Sequence, residues 1–587
     1  MGPIRPIGPI LFALAIAAYS DPAVPTKHED WHKLAQAGAK MQIKCAGFFG
    51  AGGVETFAGV ARLSNGDIAV FGNSWGPPFP DDPKATVMGS DHLVELTLHP
   101  VGLDKGGKGR PLPPPELHPN RTGFLVQYAP DLRRIVNLTR FGWGAATMDA
   151  GIAAPDGGLI VAGTASEHFE SIAKSANAKR LPPPNDPARC FGPLVYEGVK
   201  MAGNVYVGKL KADRGGFDWL WVLEGFRRPP ARIFTASDGG VVFESNYEVL
   251  RISANGATCV SLAVLRTPAR GENVFLAGVG PTDGSLLVAG SRMHNLEVEA
   301  HLGARFSSVR EPAIDLLAPD GKLASRLYNW PVALTANPRL QLNSACSIAA
   351  ACFFPDGRLA FAGQALGTNT LLETNPADLT QRCRPGKFVL KPVYDPNPWG
   401  RKPPSSAQVV TVSPGSWSDS TCVPWVAMDG ILPNEVTVRG ILGMRDGRVA
   451  LWGESGRWLL QTETNIFRAC DHVQYARQDV RESTVATRAS GKPKILALGG
   501  EGPFLTVFDP EFAGLAWSSA LPGCRVMGVV ELQDALAVVS TCIPATIPQY
   551  PETPPGMENR PPAAGTPWTQ FGGGYSDGHI FILGGAK

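Results

Sequence analysis

Charge is scarce in this chain of 587 residues: Asp, Glu, Lys and Arg make up 18% of it, against roughly 25% in an average globular protein. The signs balance to +2, and no basic stripe runs along the sequence. A nucleic-acid binder carries such a stripe as its electrostatic footprint, so that class is excluded. Long apolar runs are also missing. The longest, Ile10 to Ala18, has nine residues, and a helix needs about 20 to cross a bilayer. There is no CxxC, no CxxCH for covalent haem and no Cys/His spacing of the zinc type, so no redox, haem or zinc site is assigned. No GxSxG sits in a strand-turn-helix context. Asp81-Asp82 and Asp149 could touch calcium, but no EF-hand-like loop surrounds them.

Turn formers are abundant instead. Gly (67) and Pro (53) are both numerous, which suits short strands joined by tight turns better than a helical bundle. The N-terminus reads as an export signal over residues 1–20. Arg5 is its positive charge, Ile10 to Ala18 its apolar run, and Ala15-Ile16-Ala17 a small-x-small cleavage site, with Ser20 as another endpoint. Residues 21–40 read as a short helix or an unstructured segment. His28 and His32 stand four apart there; on a helix they could share a metal, but a solvated helix is the preferred reading. The ten cysteines are Cys45, Cys190, Cys259, Cys346, Cys352, Cys383, Cys422, Cys470, Cys524 and Cys542. Their even number fits disulfides in an oxidising compartment.

One pattern recurs along residues 41–587: an apolar strand, an Asp-Gly type of turn, then an apolar strand ending in small residues. Copies run from Gly59 to Ser74, Asp149 to Ala165, Ile233 to Ser245, Phe275 to Ser291, Ala350 to Gln364 and Gly440 to Ser455. Two weaker copies span Val485 to Gly500 and Val526 to Ser540. Asp-Gly between apolar runs supplies the positive φ that a hairpin needs, so each copy predicts a β-hairpin. The second strands are continuously apolar, as expected of strands buried on both faces. Gly72, Gly163, Gly290, Gly363 and Gly453, near the ends of those strands, would allow close backbone packing. The shortest spacing between turn glycines is about 45 residues, the size of a four-stranded propeller blade. Pro-rich stretches, such as Pro77 to Pro83 and Pro392 to Pro404, are read as surface insertions.

These features predict an all-β fold: a single β-propeller of about eight four-stranded blades, with seven as the alternative count. Aligning Met41 to Val70 with Arg134 to Val161 makes the segment at Met41 to Cys45 the last strand of the final blade. Tyr575 to Gly585 would be that blade's third strand, so the N-terminal strand would close the ring and remove its open edges. A disulfide from Cys45 to Cys524 or Cys542 would lock the closure.

The Pro-Asp-Gly hairpins at Ala154 to Gly163 and Phe354 to Gly363, with the strings Gly89 to Leu96 and Tyr575 to Leu583, resemble the delta-60 and SBBP-type β-propeller repeats of secreted bacterial proteins. The resemblance implies the fold and an extracellular or periplasmic address, but no reaction. Quinoprotein propellers share a tryptophan like those in Trp221 to Gly225 and Leu515 to Gly523, but their full motif is not present intact. No catalytic residue, cofactor or metal is assigned. Aromatic residues beside prolines, namely Trp75, Phe79, Trp399, Trp417 and Trp568, are the candidate ligand rim. Asn120-Arg121-Thr122 and Asn137-Leu138-Thr139 match the glycosylation sequon. The preferred function is a non-enzymatic binding or scaffold propeller that recognises a protein or polysaccharide at the cell surface. The alternative is a propeller enzyme, a hydrolase, lyase or quinoprotein-like dehydrogenase, with its site at the mouth of the axial channel.

Overall fold

The computed structural model describes residues 41–50, 54–75, 85–93, 121–184, 194–196, 199–202, 204–226, 228–265, 273–294, 309–329, 345–366, 405–412, 426–428, 436–455, 502–508, 515–520, 524–542 and 577–585. The expected export signal, the segment 21–40 and the weak repeat copy Val485 to Gly500 lie outside them.

The described chain is almost entirely strand, in a propeller-like succession of antiparallel sheets. The first sheet is Val54–Arg62, Ile68–Trp75, Arg121–Tyr128 and Ile135–Phe141; the second is Ala150–Ala153, Leu159–Ala165, Asn204–Leu210 and Phe217–Glu224. Each gains a short parallel fifth strand on its outer edge, Thr86–Met88 and Lys179–Leu181 respectively. The third is Ile233–Thr235, Val241–Ser245, Glu248–Ile252 and Cys259–Val264; the fourth is Asn273–Val279, Leu286–His294, Val309–Leu317 and Leu323–Asn329. The fifth is Ala345–Phe353, Leu359–Leu366, Ser405–Val412 and Val426–Met428; the sixth is Val436–Gly443, Val449–Ser455, Gly502–Phe508 and Leu515–Ala520. The seventh combines Cys524–Glu531, Ala535–Cys542 and Asp577–Gly585 with Met41–Phe49 from the other end of the chain. Met41–Phe49 runs antiparallel to Asp577–Gly585, with Ala46 opposite Phe581 and Phe49 opposite Gly578.

Each predicted turn glycine from Gly66 to Gly447 has a positive φ, for example 88° at Gly66 and 69° at Gly284, as an Asp-Gly hairpin requires. The carboxylates of Asp156, Asp238, Asp283, Asp356 and Asp446 each accept the backbone N–H two residues on, which fixes the turn locally. The second strands are buried on both faces; Ile68 to Ser74 is buried without a break. At the ends of these strands, a Cβ on Gly72 or Gly163 would run into the carbonyl oxygen of Thr56 or Thr147. Only glycine fits that close approach.

Seven such sheets occur among the described residues, where the repeat count suggested about eight. Gly502–Phe508 pairs directly with Val449–Ser455. Gly502–Phe508 and Leu515–Ala520, which follow the weak copy Val485 to Gly500 in the sequence, therefore belong to the sixth sheet.

The first strand of each sheet lies against the first strand of the next, from the first sheet to the seventh, and the seventh lies against the first. Apolar clusters fill the spaces between sheets. Phe49, Val539 and Ile580 of the seventh sheet pack with Phe57, Phe124 and Val126 of the first. Val161, Tyr206 and Phe217 of the second pack with Phe71, Leu125 and Phe141 of the first. Burial of these faces is the main stabilising term, at roughly 25 cal/mol per Å² of apolar surface.

Candidate functional site

Strand direction sorts the connections into two faces. In an antiparallel sheet of four strands, the turns after the first and third strands leave from one end. The connections after the second and fourth strands leave from the other. The Asp-Gly turns all belong to the first kind. Six of the long connections, residues 76–120, 166–203, 295–308, 367–404, 456–501 and 543–576, follow second strands; residues 330–344 follow a fourth strand and residues 413–425 a third. Seven of these eight stretches therefore leave from the strand ends opposite the Asp-Gly turns, the insertion end. Among the links from a second to a third strand, the third sheet's is tight: Asn246 and Tyr247 stand between Ser245 and Glu248.

Three arginine-aromatic pairs are placed at this insertion end. Trp75 closes the second strand of the first sheet, and the Arg121 guanidinium lies over its ring, 5.4 Å from the centroid. Arg140 lies 5.5 Å from the Trp143 ring, and Arg228 lies 4.7 Å from the Tyr247 ring. Arg121 is oriented from below: its Nη2 donates to Asp149 at 3.1 Å. Asp149 in turn accepts from the Asn73 amide at 2.9 Å and from the Thr147 hydroxyl. Asn73 also receives the N–H of Met148 at 2.9 Å, which ties the first sheet to the start of the second. The Nε of Arg121 is buried and has no partner among the described residues.

Of the predicted rim residues, the structure therefore places Trp75 on the insertion end. Phe79, Trp399, Trp417 and Trp568 lie outside the described residues. In chain order Phe79, Trp399 and Trp568 follow second strands, and Trp417 follows a third strand. Sequence reading missed Tyr247. Asn246 and Tyr247 both have positive φ, 49° and 66°, the geometry of a type I′ turn. Asn suits that turn; Tyr is strained there by about 1–2 kcal/mol. Nothing in the string Ser245 to Glu248 announces the conformation.

Asp149 is engaged by Arg121, which accounts for it without calcium. Among the described residues no group of three metal-ligating side chains occurs. The run His28 to His32 (HEDWH) matches the HExxH pattern of zinc metalloproteases, which its reading as a solvated helix passes over; it lies outside the described residues. Of the two sequons, Thr122 is buried and donates its hydroxyl to the Phe141 carbonyl, and Asn137 accepts from the Thr139 hydroxyl. The rings of His92 and His168 stack at 4.1 Å where the first and second insertions meet. Burial, then the neighbouring His92, hold the His168 imidazole below its ordinary range.

The expected bridge from Cys45 to Cys524 or Cys542 is not formed; Cys45 is a free thiol. The ladder explains why. Cys45 stands opposite Ile582, whereas Cys542 stands opposite Asp577. At roughly 3.3 Å per residue, these rows are about 17 Å apart along the strand. Cys524 faces Cys542 directly across its own hairpin.

A second polar group lies where the first strands meet. Arg232 enters the first strand of the third sheet and donates from Nη2 to the carbonyl of Arg439, in the first strand of the sixth, at 3.3 Å. Those sheets are three steps apart in the succession, so the contact spans the centre. The guanidinium of Arg439 donates to Glu454 at 2.9 Å, and Arg525 of the seventh sheet pairs with the other oxygen at 3.0 Å. Arg439 is the extra residue of a bulge, since the register shifts between Val438 and Gly440. Such a bulge re-aims a side chain. The Cys352 thiol, near Arg232, is pushed up to about 12 by burial.

No family model and no curated protein matches the chain. Solved structures are similar at low identity. A protein of unknown function from Dyadobacter fermentans is 11% identical, over 93% of this chain and 100% of that one, with a TM-score of 0.37. The hydrazine synthase of Kuenenia stuttgartiensis is 10% identical, over 79% and 94%, at 0.32. A gluconolactonase from Xanthomonas campestris is 12% identical, over 56% and 79%, at 0.22. Overlaps this slight say nothing about chemistry in this chain.

Proposed function

We propose that the chain is an exported seven-bladed propeller, closed by its N-terminal strand, that binds a polysaccharide or protein at the cell surface through its insertion end. The single observation behind the binding role is the sorting of most long connections to one end, beside arginine-aromatic pairs held by a buried polar network. Rigid strand ends that present aromatic and guanidinium groups suit sugar rings and carboxylates. The pairing of Met41–Phe49 with Asp577–Gly585 and the contact of the seventh sheet with the first support closure. The likeness of the Asp-Gly hairpins to delta-60 and SBBP-type repeats supports the extracellular address.

The alternative, a propeller enzyme, gains little from the groups at the centre. A nucleophilic thiol needs a lowered pKa, and Cys352 is driven the other way. The two readings separate in one assay on a panel of neutral and acidic polysaccharides. Binding predicts retention on at least one of them with no new reducing ends. Tyr247→Gly, which relieves the strained turn and so keeps the fold, should weaken retention several-fold, as should Trp75→Ala. Turnover that disappears in Arg121→Gln would favour the enzyme.

An exported chain should also carry a bridge between Cys524 and Cys542, in place of the one expected at Cys45. A non-reducing digest should recover those two peptides joined. Cys45, Cys259 and Cys352 should label only after denaturation, because burial pushes their thiols up to about 11, 12 and 12. Recovery of Cys45 in a disulfide would refute this assignment.

A further inference from the structure

We propose that Arg232, Arg439 and Arg525 form a site for a small oxyanion, a carboxylate or a phosphate, at the centre where the first strands meet. The proposal deepens the binding reading, and rests on it for taking a ligand in place of a substrate.

The three cations are linked through Arg439. Its carbonyl receives Arg232, and its guanidinium holds Glu454, which also holds Arg525. Glu454 thus pairs with two guanidinium groups, and Arg232 joins them through the Arg439 carbonyl, so three cations are linked with one carboxylate. Arg232 carries most of the argument. Arg232 is half-buried, and desolvation draws its pKa below the ordinary arginine range. Among the described residues it has no carboxylate partner; it meets a neutral carbonyl and lies near the Cys352 thiol. A buried charge without a counter-charge is costly, and a structure that keeps one generally supplies the partner. The carbonyl occupies only Nη2, so the rest of a planar fork suited to bidentate oxyanions remains.

Access is not closed. The side chains of Arg439 and Arg525 keep 42% and 55% of their surface, and Glu454 keeps 35%. An anion entering along the axis would meet these two first and Arg232 deeper. The bulge at Arg439 supports the same picture. The extra residue at the matching shift is Ala58 in the first sheet, Ala277 in the fourth and Ala349 in the fifth. The matching residue of the seventh sheet is Met527; alanine in three of the sheets would leave room beside the arginines for a small anion.

The test is calorimetric titration of the full chain with inorganic phosphate and with citrate at constant ionic strength. Heat of binding is expected for at least one. A response to phosphate alone or to citrate alone upholds the site and names its preferred oxyanion. Arg232→Met should weaken binding about ten- to a hundredfold, the worth of a charged hydrogen bond. Arg445→Ala, at the turn end and paired with Glu531, should change nothing. If Arg232→Met fails to fold, Arg525→Gln decides, with a several-fold loss expected. Silence with both anions, or a titration unaltered in the variant that folds, overturns the proposal. Failure here is separable from failure of the binding reading, because Trp75→Ala should weaken polysaccharide retention several-fold and leave this titration intact.

Discussion

Phe49→Ala should destabilise the protein by about 3–5 kcal/mol, the range for emptying a buried phenylalanine site, and deletion of residues 1–49 should abolish cooperative unfolding altogether. Phe49 ends the strand that the N-terminus lends to the seventh sheet, and it is fully buried. Its ring lies 5.0 Å from Phe124 and 6.2 Å from Phe57, both in the first sheet. One side chain therefore joins the final sheet to the first, through three aromatic rings on three strands. Removing it leaves a void between sheets that cannot collapse without separating them. Removing the whole strand would also expose the edge of Asp577–Gly585, a row of unpaired N–H and C=O groups open to aggregation. Guanidinium denaturation followed by tryptophan fluorescence would measure both effects. A truncated chain that unfolds at the wild-type midpoint would show that the two chain ends do not hold the molecule together.

The strand period and the Asp-Gly turns made the sheets readable in advance, because both signals are local. An apolar run such as Leu286 to Ala289 has to be buried, and Gly284 has to turn. The pairing of the termini was readable for a related reason: aligning two repeats shows which strand each copy lacks. Blade count was harder. The stretch Val485 to Gly500 has the composition of a hairpin, yet Gly502–Phe508 pairs across it to Val449–Ser455. Composition does not say which partner a strand will choose. The Cys45 bridge failed because cysteine count carries no register, and one strand row decides whether two sulfurs can meet. The central arginines were hidden for a similar reason. Arg232 and Arg439 are 207 residues apart, and only the curvature of the whole succession brings them together.

The insertion end and the centre divide the work between them. Short turns cost little chain entropy and hold each hairpin rigid, so the opposite end is free to carry long connections. Asn73 shows how the frame is stiffened where those connections leave. It grips the Met148 backbone and Asp149 of the next sheet. Glu454, at the same place in the sixth sheet, reaches Arg525 of the next in the same way. The residue after the small one in the second strand is polar in both cases. That position links neighbouring sheets beside the groups proposed to face a ligand.

Acidification should weaken the fold through His579, and His579→Asn should remove that sensitivity. His579 is fully enclosed between the final strands, with its ring 4.8 Å from Phe48 and 5.6 Å from Phe581. Its Nδ1 meets the Ser540 hydroxyl at 3.0 Å. Burial drives the imidazole down to about 3 from its ordinary 6.5, so the folded chain holds it neutral while the unfolded chain protonates it below pH 6.5. The stabilisation is therefore complete above pH 6.5 and is lost as pH falls toward 3, at up to about 1.4 kcal/mol per pH unit. Between pH 6.5 and 4.5 the loss from this one group would be about 2 kcal/mol. Carboxylates titrate over part of the same range, but they do so equally in wild type and variant. The difference between their denaturation midpoints at pH 7, 5.5 and 4.5 isolates the histidine. The variant should start less stable at pH 7 and gain on the wild type as pH drops; two curves that fall in parallel would mean that His579 is already charged, or is exposed to water, in the native protein.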